Sequence, residues 1–262
     1  MARRTVQGPK FLHSRDVLLF SQRNEDIEDC AALVDDFTTR VLILHGSSGS
    51  GKSSFIRAGL IPRLELAAEA SCSFFFLRQA SDTSEPLLIR ATDDPVARIH
   101  HSLQAAAKND QRIPPRAREG MLTALAGDPP YDRLAAMEKI LAALTALTAS
   151  LRDTFVLLVD QAEEILTLPA EGDAKNRRKA FFALLEGICF SRIDMRAVVS
   201  LRTEYYGRFC SFFHIRPTIS LTAAAETRAG LVDFLLRGFS GANRIAAAIR
   251  WPTFSSSGCG AA

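Results

Sequence analysis

The chain has 262 residues, of which 47% are hydrophobic and 23% charged, enough apolar material for one large globular core and too little charge for intrinsic disorder. A net charge of +3, with basic residues scattered apart from a short cluster at Lys175 to Lys179, gives no case for a nucleic-acid surface. Five widely spaced cysteines (Cys30, Cys72, Cys189, Cys210, Cys259) without a CxxC pair indicate neither a disulfide framework nor a zinc site and fit a reducing cytoplasm. The basic opening lacks a signal-peptide apolar region, and no stretch reaches the 18 or more apolar residues of a membrane span.

In chain order, residues 1–19 read as an N-terminal tail and 20–222 as the core. Asn24 to Phe37 reads as a helix, with apolar Ile27, Ala31 and Val34 near helical spacing and Asn24 as its N-cap. Val41 to Leu44 is a buried strand, followed by a helix over Ser53 to Leu60 that Pro62 should stop. Ser73 to Leu77 is a second strand, its three phenylalanines expected in the sheet core. Residues 80–130 carry most of the turn signals, including Pro86, Pro95, Pro114-Pro115 and Pro129-Pro130, and read as an irregular insertion with one helix near Val96 to Ala107. The His100-His101 pair there is expected on an exposed part of that helix, without a metal.

Tyr131 to Leu151 is an amphipathic helix with Leu134, Met137, Leu141 and Leu144 on one stripe, widened by Ile140, Leu147 and Leu151. Thr154 to Val159 and Met195 to Leu201 are strands, Arg177 to Phe190 the helix between them, and Thr218 to Leu221 the fifth strand. A helix over Ala223 to Arg237 opens a short helical extension, the start of a lid spanning 223–253, and 254–262 is a disordered tail. Strands alternating with helices predict an α/β fold with a mainly parallel five-stranded sheet sandwiched by helices.

Three stretches carry chemistry. Gly46-Ser47-Ser48-Gly49-Ser50-Gly51-Lys52-Ser53 fits G-x-x-x-x-G-K-[ST] in full, between a strand and a helix, as a phosphate loop requires. Its backbone N–H groups, with the helix N-terminus where Ser54 also sits, suit phosphates; Lys52 suits the β- and γ-phosphates and the Ser53 hydroxyl suits Mg2+. In "TFVLLVDQAEEIL" a strand ends in Asp160, placed to hold Mg2+ and followed by Glu163 and Glu164, one of which can orient an attacking water. In "RAVVSLRTEYYGRF" another strand ends in Arg202, which either senses a γ-phosphate or caps its strand by pairing with Glu204.

Together "GSSGSGKSSFIRAGLIPRL", "LLVDQAEEILTL" and "VVSLRTEYYGRF" resemble the novel STAND class of signal-transduction P-loop ATPases, related to the NACHT and AAA+ branches, over about Phe20 to Thr253. The family often opens with "FGR" before an acidic helix; this chain has Phe20-Ser21-Gln22-Arg23, without the glycine. The motif Asp160-Gln-Ala-Glu163-Glu164 is similar to the family's "DQFEE", with Ala162 replacing an aromatic. The likeness implies Asp160 as the Mg2+ residue, Glu164 as first and Glu163 as second choice of catalytic base, and Arg202 as a sensor arginine. It further implies a cytoplasmic, ATP- and Mg2+-dependent signalling switch with slow hydrolysis and ATP-driven homo-oligomerisation. Because effector and sensor repeats do not fit in this length, the expectation is an isolated ATPase core: a truncated relative, a fragment, or a subunit that works with a separately encoded effector or sensor protein. The alternative is a truncated or non-catalytic ATP-binding scaffold. No NKxD or LSGGQ motif supports a GTPase or transporter reading.

Overall fold

The computed structural model describes residues 23–67, 74–78, 86–91, 94–127, 133–151, 153–168, 172–212 and 231–235, the last of these by backbone alone. Its sheet is built from β1 (Val41–Gly46), β2 (Phe74–Phe76), β3 (Leu88–Arg90), β4 (Thr154–Asp160), β5 (Met195–Arg202) and β6 (Leu231–Leu235). All named pairings are parallel, in the order β2-β4-β5-β1-β6. The short strands β2 and β3 share one edge, β2 against Thr154 to Val156 and β3 against Leu158 to Asp160, so among the described residues the sheet is five positions wide although six strands make it. The expected parallel α/β sandwich is the observed one.

Alternation along the strands feeds two cores. Leu42, Leu44, Val156, Leu158 and Val198 pack against α1 (Asn24–Asp35) and the helix that follows the phosphate loop. Val41, Ile43, Phe155, Leu157, Val159, Ala197 and Val199 face the other way. There they meet α4 (Pro95–Asn109), α5 (Pro115–Ala124), α6 (Arg133–Thr148) and α8 (Gly172–Phe190). Central strands buried on both faces explain why β1 and β4 read as unbroken apolar runs rather than alternating ones.

Several sequence expectations need correction. Within the helix expected over Ala223 to Arg237, Leu231–Leu235 forms β6 instead, whose backbone pairs with β1 from Val41 to His45, so these five residues of the segment assigned to the lid join the sheet. Leu231, Val232, Phe234 and Leu235 suit either period, and the exposed edge of β1 decides between them. The expected strand Thr218 to Leu221 lies outside the described residues, as do the two tails.

Pro62 does not stop the helix after the loop. That helix runs from α2 (Lys52–Ser54) through a π-helical stretch, Phe55–Leu60, into α3 (Ile61–Ala67). The Ile61 N–H bonds Ile56 O, one residue further back than in an α-helix, and this wider turn gives room for a ring that would otherwise press on the carbonyl four residues before it. Arg23, not Asn24, stands at the N-cap of α1.

Within the segment 80–130, the described residues 86–91 and 94–127 are more regular than its prolines suggest. Asp94 caps α4, its Oδ1 accepting from the Ala97 N–H at 3.0 Å, with Pro95 in the first turn. Pro115 likewise opens α5, where a missing N–H costs nothing. His100 is buried rather than exposed, because helical spacing sets it on the same face as Val96, Leu103 and Ala107, and only His101 is exposed. No group of three or more His, Cys, Asp or Glu that could hold a metal occurs among the described residues. None of the described helices is long and apolar enough to cross a membrane.

An aromatic cluster joins α8 to α9 (Thr203–Cys210): Phe182 lies 4.9 Å from both Phe209 and Phe212 between ring centroids. Phe182→Ala should cost about 3–5 kcal/mol in denaturant unfolding, whereas Phe190→Ala, at the exposed end of the same helix, should stay within about 0.5 kcal/mol. Equal effects would show that the cluster does not hold α9.

Candidate functional site

β1 runs directly into the phosphate loop, where Gly49 and Gly51 adopt φ of +74° and +81°, a backbone region costly for any side chain with a Cβ. The Ser50 N–H bonds Ser47 O at 3.2 Å and the Phe55 N–H bonds Gly51 O at 2.7 Å, closing the loop onto its helix. Ser48, Gly49, Gly51, Lys52, Ser53 and Ser54 line a cleft whose opposite wall is Asp160, Gln161, Glu163 and Arg202. Ser50 is buried beneath the loop, and Gly46 and Ser47 contribute carbonyls at its foot.

Lys52 turns back onto the loop, its Nζ donating to Gly46 O at 2.9 Å and Ser47 O at 3.0 Å. Partial burial pulls its pKa below the usual lysine range, opposed by the charges of Glu163 and Asp160. Across the cleft the Ser53 hydroxyl donates to Asp160 Oδ2 at 2.6 Å. The Ser200 hydroxyl of β5 donates to Asp160 Oδ1, so a carboxylate only 2% exposed has both oxygens held by neutral hydroxyls. One buried carboxylate and one hydroxyl form a hard-oxygen pair. That donor set fits Mg2+, which takes one or two protein oxygens and completes its shell with water and phosphate.

β4 and β5 are then locked by the turn after Asp160. Gln161 has φ of +58°, and with that twist its N–H reaches Ser200 Oγ at 3.2 Å while the Ala162 N–H reaches Ser200 O at 2.8 Å. The same turn directs Glu163 into the cleft. Its carboxylate accepts from Arg202 Nε at 3.1 Å and from the Arg202 N–H at 3.3 Å. Arg202 therefore pairs with Glu163 and not with Glu204, and it stands opposite Gly46 in the β1–β5 register. His45 docks the following helix, stacking on Tyr206 with 4.4 Å between centroids and meeting Thr203 Oγ1 at 3.3 Å from Nδ1.

Glu164 begins α7 (Glu164–Thr167) and is not among the residues lining the cleft, though close enough to feel the charges of Glu163, Asp160 and Arg202. Its Oε2 is buried without a hydrogen-bond partner. Burial first, and then the neighbouring charge of Glu163, raise its pKa against the pull of Arg90. Arg23 also stands outside the cleft lining. Sequence reasoning missed Ser200, Gln161 and Arg90: a serine inside an apolar strand carries no local signal, whereas the register of β3 brings Arg90 opposite Asp160.

A parallel sheet with a phosphate loop after one strand, an acidic residue ending a second, and an arginine ending the strand between them defines a P-loop NTPase. The model of the family "Novel STAND NTPase 1" matches residues 8–232, and the chain belongs to that family. No curated protein matches it. Among solved structures it is similar to a Walker-type ATPase of Pyrococcus abyssi, with TM-score 0.42 and 16% identity over 82% of this chain and 53% of that one. It is also similar to a chain of the E. coli MS115-1 HORMA:CdnC:Trip13 complex, with TM-score 0.40 and 12% identity over 86% of this chain and 65% of that one. The chain thus spans about half of the first and just under two thirds of the second.

The raised pKa of Glu164 has a consequence for stability. Its charged form is disfavoured in the folded state, so its favourable contribution is present at low pH and is lost as pH rises through the folded pKa. Glu164→Gln should therefore raise Tm at pH 7, and the difference from wild type should shrink as pH falls toward about 4. A lower Tm for the variant at pH 7 would mean that the carboxylate is held in a favourable contact.

Proposed function

We propose that this chain binds Mg-ATP in the cleft between the phosphate loop and Asp160, hydrolyses it slowly, and acts as a nucleotide-dependent signalling switch. The observation that carries the reading is the convergence of Lys52, Ser53, Asp160, Glu163 and Arg202 on one cleft. Loop N–H groups and Lys52 bind the phosphates, while Ser53 and Asp160 would hold Mg2+. The ion supplies charge neutralisation at the β- and γ-phosphates when bound.

Of the two glutamates, Glu163 is the better placed to orient the attacking water, because it lines the cleft and Glu164 does not. Its carboxylate is held by Arg202. A γ-phosphate entering the cleft offers Arg202 a stronger anionic partner than Glu163 does, so the same displacement would stabilise the phosphate and release the base. In this reading Lys52 and Arg202 exchange their protein acceptors for phosphate.

Lys52→Ala should weaken Mg-ATP binding by more than tenfold in calorimetric titration, and undiminished affinity would remove the site assignment. Glu163→Gln should keep binding but lower turnover by about 100-fold or more, with Glu164→Gln close to wild type; the reverse pattern would return the base to Glu164. Size-exclusion chromatography with a slowly hydrolysed ATP analogue separates a switch, which changes its assembly state, from an inert ATP-binding scaffold, which does not.

A further inference from the structure

We infer that Ser200 is a positioning residue for the metal site: its hydroxyl fixes the Asp160 carboxylate in the rotation that presents Oδ2 to Ser53 and the cleft. The inference rests on the proposed Mg-nucleotide reading and extends it to a side chain that touches neither nucleotide nor the cleft.

Ser200 is fully buried on β5, one strand away from Asp160. Its single proton is committed to Asp160 Oδ1, and its oxygen accepts the Gln161 N–H at 3.2 Å. Its carbonyl takes the Ala162 N–H at 2.8 Å. One residue thus grips three successive positions, Asp160, Gln161 and Ala162, and the left-handed Gln161 brings the two N–H groups to it.

A carboxylate rotates about its last torsion with little resistance, so burial alone does not choose which oxygen faces a metal. With Oδ1 bound to Ser200, Oδ2 is left for Ser53, and because the Ser53 proton points at Oδ2, the Ser53 lone pairs are free for a cation. Partners that orient a metal-binding group in this way typically contribute 10–100-fold to metal affinity.

The full chain with Ser200→Ala is titrated with a fluorescent ATP analogue at stepped Mg2+ concentrations and again in EDTA, beside wild type and Ser200→Thr. The expected result is a Mg2+ requirement raised at least tenfold in Ser200→Ala, unchanged affinity in EDTA, and recovery in Ser200→Thr, which keeps the hydroxyl. Loss of affinity in EDTA to the same extent as in Mg2+ would make Ser200 merely structural and overturn the inference, as would an unchanged Mg2+ requirement. Wild type that fails to bind the analogue under any condition would overturn the nucleotide reading itself. Thermal melting without nucleotide identifies a variant that fails to fold; should Ser200→Ala do so, Ser200→Cys carries the same comparison, with a poor hydrogen-bond donor in place of the hydroxyl.

Discussion

A carboxylate almost sealed from water, with two hydroxyls as its partners, constrains everything around it. At 2% exposure a carboxyl group needs hydrogen bonds in place of water, and Asp160 receives one on each oxygen from a different element: Ser53 from the start of the phosphate-loop helix and Ser200 from β5. β4, β5 and β1 must then stand side by side, in that order, with their C-terminal ends level. That is the order the sheet adopts, with Gly46 opposite Arg202 and Val159 opposite Val199. The cleft forms where those ends meet the loop, the place where parallel sheets bind ligands.

The packing beneath serves that alignment. Both faces of the central strands are buried, so a shift of one residue in any strand would exchange its two sets of side chains between the cores. The π-helical stretch Phe55–Leu60 also follows from it: a helix bound at its start to the phosphate loop must still accommodate Pro62, and one wider turn does so without moving Lys52 or Ser53. The stack of His45 on Tyr206 and the cluster of Phe182, Phe209 and Phe212 hold α9 at its middle and its C-terminal end, directly after Arg202. Arg202 thus hinges on a rigid base while its side chain remains half exposed at 47%.

Local chemistry was legible in the sequence and long-range pairing was not. The loop could be read because its glycines and its lysine act through neighbouring backbone, and Asp160 because it ends an apolar run. β6 was misread because Leu231 to Leu235 suits two periodicities, and only the free edge of β1 chooses. β3 has three residues, too few for any pattern, and α5 was hidden by a proline pair that in fact begins it. The ranking of Glu164 above Glu163 came from a family likeness, whereas of the two only Glu163 lines the cleft, two residues after Gln161 turns the chain left-handed, a torsion invisible in the letters. Ser200 was overlooked because its meaning lies wholly across the sheet.

The central claim is that one cleft holds phosphate and metal together. A crystal structure with Mg2+ and a non-hydrolysable ATP analogue tests it most directly. The account predicts the β-phosphate inside the Gly46-to-Ser53 loop, Mg2+ at about 2.0–2.1 Å from Ser53 Oγ, and Asp160 still bonded to Ser200. Nucleotide bound outside the loop, or Mg2+ coordinated away from Ser53, would contradict it.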